Sequence, residues 1–365
     1  MDELENIKRE DTKKETDKKC PKCGAVMNYK PGGAVLYCQF CEYEEKVELE
    51  FNFDEAAQET EFNPTIDSGQ CQWGAETKLI ICKSCGAESV YDSLQVAESC
   101  PYCGSVQVME EKGKDTLSPS GVCPFQIGRE KAEELLRAYI KDGWFTPSEF
   151  KEARNKPVQG VYLPFWTFDT RAACRYSARI GFEKTVRNRK GETRTEVTWK
   201  NTDGVFKKFI DDWLVLASTR YKDPAFKEVK FDTKKNVKYK PEFLAGFTAE
   251  RYSLPLTEGW KEAQKGIAAK LSKDIESKIR SDSGADRVEN LRIDSKYRDI
   301  TYKYLLLPVW MSSCTYKDKI YNFVVNGQTG KVYGDTPTSW WCCCALIAAA
   351  IIILMLILPF FGIPI

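Results

Sequence analysis

Two copies of the pattern C-x2-C-x14-C-x2-C, a middle section of mixed periodicity and an uncharged apolar run near the C-terminus set the expected fold class. They predict two small four-cysteine β-hairpin modules, then an α+β domain, then a C-terminal transmembrane helix. The first module uses Cys20, Cys23, Cys38 and Cys41, and the second uses Cys82, Cys85, Cys100 and Cys103. Two thiolates separated by two residues reach one tetrahedral ion from a tight turn, and a hairpin brings a second such pair to complete the shell. Glycine follows the second cysteine of three of the four turns (Gly24, Gly86, Gly104), where the backbone must curl with no side chain in the way.

The modules therefore read as zinc ribbons, with Zn2+ at two structural sites as the expected cofactor. Each spans about two dozen residues, too few to bury a core, so metal ligation supplies folding energy. Four protein sulfurs leave no open coordination position, which argues against a catalytic zinc. Residues 20–43 form ribbon 1 and residues 71–110 hold ribbon 2. Residues 44–70, with Pro64, Ser68 and Gly69, read as an acidic linker. Ahead of them, residues 1–19 read as a disordered charged tail with no apolar core and no export signal.

Residues 120–334 read as the α+β domain. Ala132, Leu135, Leu136 and Tyr139 recur at helical spacing and predict a helix near 128–141. Trp260, Ala263, Ile267, Leu271 and Ile275 predict a second, amphipathic helix over 258–281. Strands are expected around 160–184, 288–311 and 314–325, with NRKGE (188–192) as a hairpin turn. Val161–Trp166 (VYLPFW) echoes Leu305–Trp310 (LLLPVW), which suggests two related half-domains or two unrelated Pro-x-Trp strands. NGQTGK (Asn326–Lys331) departs from G-x-x-x-x-G-K-[ST] and reads as a turn, so ATP-driven activity has no visible basis. Cys71, Cys123, Cys174 and Cys314 read as small buried apolar residues. Asp211-Asp212 and Glu44-Glu45 read as solvated charge.

Residues 340–358 carry no charge, and 19 helical residues span about 28 Å, close to the hydrocarbon thickness of a bilayer. Trp340 and Trp341 fit an interfacial belt and Pro359 ends the helix, leaving residues 359–365 as a short exterior tail. The expected localisation is the cell membrane, with a single-pass C-terminal anchor and the N-terminal bulk in the cytoplasm. Cys342, Cys343 and Cys344 would lie at the interface.

Charge is partitioned. Residues 20–110 hold 15 acidic and 5 basic side chains, whereas the whole chain is +1. Phosphate neutralisation supplies most non-specific nucleic-acid affinity, so acidic ribbons make poor nucleic-acid readers. The basic remainder, residues 111–365, suits anionic lipid. The chain has no histidine, which removes Ser-His-Asp and Cys-His arrangements and the commonest general base near neutral pH. No catalytic residue can be named, and a non-enzymatic role is expected.

The ribbons, VYLPFWTFD (161–169), FLAGFTAERY (243–252) and LLLPVW…YNFVVNGQTGKVYGDTP (305–337) resemble the TFIIB-type zinc-ribbon proteins of Firmicutes. That group is sometimes labelled primosomal protein N′ or helicase-like, and the resemblance covers most of residues 20–358. It implies the eight zinc cysteines and the terminal span. Some membrane-anchored members resemble partners that bring phage-shock protein A to the membrane, which implies a protein partner of that kind. The leading expectation is a membrane-anchored adaptor. A nucleic-acid-binding ribbon protein linked to replication or transcription, and a thiol redox sensor, are the alternatives.

Overall fold

The computed structural model describes residues 20–25, 27–48, 59–63, 77–82, 88–92, 108–110, 119–143, 145–152, 156–187, 193–221, 224–250 and 252–339. Strands β1 (Met27–Lys30), β2 (Val35–Cys38) and β3 (Glu44–Lys46) form a three-stranded antiparallel sheet. The remaining strands belong to one 12-stranded sheet. In chain order they begin with β4 (Thr60–Glu61), β5 (Thr77–Cys82), β6 (Glu88–Asp92), β7 (Val108–Glu110) and β8 (Gly121–Val122). Helices α1 (Arg129–Asp142) and α2 (Ser148–Glu152) lead into β9 (Gln159–Arg187) and β10 (Thr193–Leu216). Next come α3 (Pro224–Glu228), β11 (Val237–Lys238), a 3-10 turn at Pro241–Leu244 and β12 (Thr248–Glu250). Helix α4 (Leu256–Ser283), β13 (Arg287–Tyr316), β14 (Lys319–Asn326) and β15 (Val332–Gly334) complete the described chain.

Two very long strands organise the molecule. β9 and β13 run antiparallel with Leu163 opposite Leu307, Pro164 opposite Leu306 and Pro308 opposite Tyr162. Each proline thus sits within a continuous strand, at a place where its missing N–H interrupts the ladder. A local two-fold relation passes through this crossing. β12 runs parallel to β9 at Val161 and Tyr162, and β8 runs parallel to β13 at the matching positions Leu305 and Leu306. The order short strand, helix, long strand, hairpin strand occurs twice: β8-α1-β9-β10 and β12-α4-β13-β14. Each short strand pairs with the long strand of the other unit. The tryptophans repeat the exchange, since Trp166 Nε1 donates to Leu254 O at 2.9 Å and Trp310 Nε1 donates to Ile127 O at 2.8 Å.

The sheet centre is covered on both faces. Even-numbered β9 residues (Tyr162, Trp166, Phe168, Ala172, Cys174) pack under α4 with Trp260, Ala263, Ile267 and Leu271. Odd-numbered ones (Val161, Leu163, Phe165) pack against Tyr221, Phe226 and Phe231 around α3. The buried stripe of α4 has the spacing of an amphipathic helix, and its outer face carries pairs such as Lys261–Glu258 and Lys278–Asp282. Gly284 ends α4 in a left-handed conformation (φ 67°) and donates to Arg280 O. Farther out, β9, β10 and β13 continue as a three-stranded blade with α4 along one face.

This architecture corrects the expected fold class. In place of an α+β domain and a membrane helix, the described chain is mostly a large antiparallel β-sheet with few helices, and the cysteine cluster of ribbon 1 lies near its N-terminal end. The strands expected around 160–184 and 288–311 are observed as β9 and β13, and the largely apolar run over 161–168 is buried on both faces, so alternation shows only beyond it. Ribbon 2 does not stand apart either. Its strands β5, β6 and β7 extend the main sheet through β6 paired with β12. The transmembrane and single-pass membrane assignments are corrected too, because no helix among the described residues is long and apolar enough to cross a membrane. The long helix, α4, carries charge along its outer face. The expected span at 340–358, with the interfacial Cys342, Cys343 and Cys344, lies outside the described residues, as do the 1–19 tail, the 188–192 turn and residues 359–365.

Candidate metal centre

Ribbon 1 brings Cys20, Cys23, Cys38 and Cys41 together. Their sulfurs all lie within 4.8 Å of one another. Cys20 and Cys41 stand 3.3 Å apart and Cys23 and Cys38 3.5 Å apart. A tetrahedral zinc with bonds near 2.3 Å needs sulfur-to-sulfur edges of about 3.8 Å, so a small adjustment converts this cluster into a closed shell of four thiolates. Each knuckle is held by its own backbone. Gly24 N–H donates to Cys20 O at 2.8 Å, and Glu42 N–H donates to Cys38 O at 3.0 Å. Both turns need a left-handed residue: Gly24 (φ 73°) supplies it cheaply, whereas Glu42 (φ 58°) adopts it without being glycine.

The local field splits the four thiols, lowering Cys20 and Cys38 and raising Cys23 and Cys41. The backbone N–H of Cys41 leads in drawing the Cys38 thiol down to about 6. Cys41 accepts a lowering bond from the Tyr43 backbone, yet the Cys20 thiol beside it helps push it up to about 12. Each close sulfur pair is therefore poised to share a proton, which a metal ion would displace.

The ribbon is fastened to the sheet body. Tyr29 packs edge-on against Phe243 with ring centroids 5.6 Å apart, and its N–H donates to Ala245 O at 3.0 Å. Gly32 N–H donates to Phe125 O at 2.9 Å, and Lys240 Nζ to Glu48 O at 3.0 Å. Met27, Tyr29 and Leu36 join the main hydrophobic core, and burial raises the Tyr29 phenol to about 12. Of the second cysteine set, Cys82 ends β5, and Cys85, Cys100 and Cys103 lie outside the described residues.

Cys123, Cys174 and Cys314 are buried. The NGQTGK segment is a turn whose Asn326 side chain accepts from the backbone N–H groups of Gln328 and Thr329. Asp212, read from sequence as solvated, is instead structural. It sits at φ 46° where the β9–β10 register shifts, donates its N–H to Asp169 Oδ1 at 2.6 Å, and accepts from Thr233 and Lys303. Asp169 is 3% exposed, and burial followed by the Glu59 carboxylate beside it raises its carboxyl to about 7. Glu250 is fully buried beside Arg220 and Ser218, and desolvation raises it to about 7 as well. No periodicity marks such buried acids; the one local signal is the polar Thr-x-Asp at 167–169 ending an apolar run.

No family model matches the sequence. No solved structure matches it. Over 243 residues the chain is 30% identical to "Uncharacterized protein YdjG" of Bacillus subtilis (strain 168), an alignment that spans 64% of this chain and 67% of the relative. On that similarity the chain belongs to the family of the Bacillus YdjG protein.

Proposed function

We propose that the chain is a non-enzymatic adaptor in which structural zinc fixes ribbon 1 onto the sheet body to present a rigid surface to a protein partner. The observation that carries this reading is the four-cysteine cluster at one end of a ribbon whose other end is embedded in the core. A closed thiolate shell contributes shape rather than chemistry, and the absence of histidine from the chain agrees with that. Phe40, 80% exposed between Cys38 and Cys41, offers an apolar anchor. The second zinc site, at Cys82, Cys85, Cys100 and Cys103, belongs to the same proposal, and the partner suggested by the resemblance is a phage-shock protein A-type protein.

Elemental analysis of the purified chain tests the metal: two zinc ions per chain are expected, and one would restrict the site to ribbon 1. Binding of a purified phage-shock protein A-type protein tests the adaptor role. It should be lost in Cys20→Ser/Cys38→Ser and weakened in Phe40→Ala. Unchanged binding in both variants refutes the role.

A further inference from the structure

Among the described residues, the blade formed by β9, β10 and β13 is covered by α4 on one face only. The opposite face continues the odd-numbered side of β9, and its side chains are mostly exposed. The registers fix what lies side by side there. Ala173 has Lys207 on one neighbouring strand and Lys296 on the other. Two residues away along β9 in each direction are Arg171 and Arg175, so a small side chain forms a floor inside a ring of four cations. Neighbours sit about 5 Å apart across strands and about 7 Å apart along them. Arg171 also stands directly opposite Arg298. Like charges placed so closely oppose folding, and a bound polyanion relieves that cost.

Carboxylates flank the ring of four cations: Arg171 pairs with Asp299 at 3.6 Å, Asp294 lies opposite Arg175, Asp203 opposite Ser177 and Glu289 opposite Arg179. Among the described residues Arg175, Lys207, Lys296 and Arg298 make no ion pair. Apolar surface is interleaved with the charge. Phe209, opposite Arg171, is 56% exposed, and Val205, opposite Arg175, is 58% exposed. Farther along the blade the Arg179 guanidinium lies over the Trp199 ring at 5.1 Å.

The geometry points to a binding surface for single-stranded nucleic acid, with backbone phosphates in the cation ring around Ala173 and a base against Phe209. A flat sheet studded with exposed rings and arginines matches how single strands are held, by electrostatics and stacking without base-edge readout. The surface is separate from the acidic ribbon, and the inference stands independently of the adaptor reading.

The full chain, titrated into a fluorescein-labelled 20-nucleotide oligo-dT or oligo-rU from 50 to 300 mM NaCl, tests it by anisotropy. Saturable binding is expected, weakening with salt at a log–log slope of about −3 for four to five phosphate contacts. Lys207→Glu/Lys296→Glu should bind at least tenfold more weakly with a shallower slope. Phe209→Ala should lose about tenfold with the slope unchanged. The substituted side chains are exposed, and an unaltered melting temperature confirms that each variant folds. Lack of saturable binding at 50 mM NaCl overturns the inference, as does full affinity in the double variant. Tighter capture by poly-glutamate or by phosphatidylglycerol vesicles than by the oligonucleotide also overturns it, in favour of an acidic protein or a lipid surface.

Discussion

At the residue scale, two indole N–H groups and two buried acids decide most. Trp166→Phe and Trp310→Phe each keep an aromatic ring but leave the part-buried carbonyl of Leu254 or Ile127 without its donor. Each substitution should cost about 1–3 kcal/mol in denaturant unfolding, and the two losses should be similar. Asp169 and Glu250, both raised to about 7, act on stability with a definite sign. Between the ordinary carboxylate range and pH 7 the folded chain holds protons that the unfolded chain has released, so stability falls as pH rises across that window. Asp169→Asn should flatten the fall between pH 5 and 7, read as melting temperature against pH. The cysteines of ribbon 1 were legible because ligand spacing is a local constraint. Asp169 was not, because its environment comes from Glu59, Asp212 and Lys303 on three other segments.

At the element scale, α4 shows how close packing overrides intrinsic preference. A β-carbon at Gly259 would lie 2.6 Å from Trp166 Cδ1, and one at Gly266 would lie 2.6 Å from Trp213 Cζ2. Alanine favours a helix interior over glycine by about 1 kcal/mol, but overpacking against an indole costs about 1–3 kcal/mol. Gly259→Ala should therefore destabilise on balance, because Trp166 is fully buried and its indole is tied to Leu254. Thermal unfolding of the single variant measures the sign. Both main helices were legible from apolar spacing: 128–141 is observed as Arg129–Asp142, and 258–281 as Leu256–Ser283. The long strands were legible as strands, with 160–184 observed within Gln159–Arg187 and 288–311 within Arg287–Tyr316, but their pairing was not, since alternation is visible only in the blade and vanishes where both faces are covered. Short strands such as β8 and β12 carry almost no periodic signal, because their two or three residues owe their conformation to distant partners.

At the scale of the whole molecule, ribbon 1 and the sheet share one core, so metal loss should not melt the ribbon alone. Stripping the ion with a chelator should shift a single calorimetric transition downward rather than produce a separate early one. Neither this docking nor the joining of ribbon 2 to the main sheet was visible in the sequence, where both ribbons read as modules on linkers. The crossed pairing of β8 with β13 and β12 with β9 carries a consequence of its own. Neither repeat can shelter its tryptophan or complete its ladder without the other. A polypeptide holding only residues 119–221 should dimerise with itself, while a chain nicked between Tyr221 and Pro224 should survive as two fragments that reassociate when mixed. Sedimentation of each piece, alone and together, checks both outcomes.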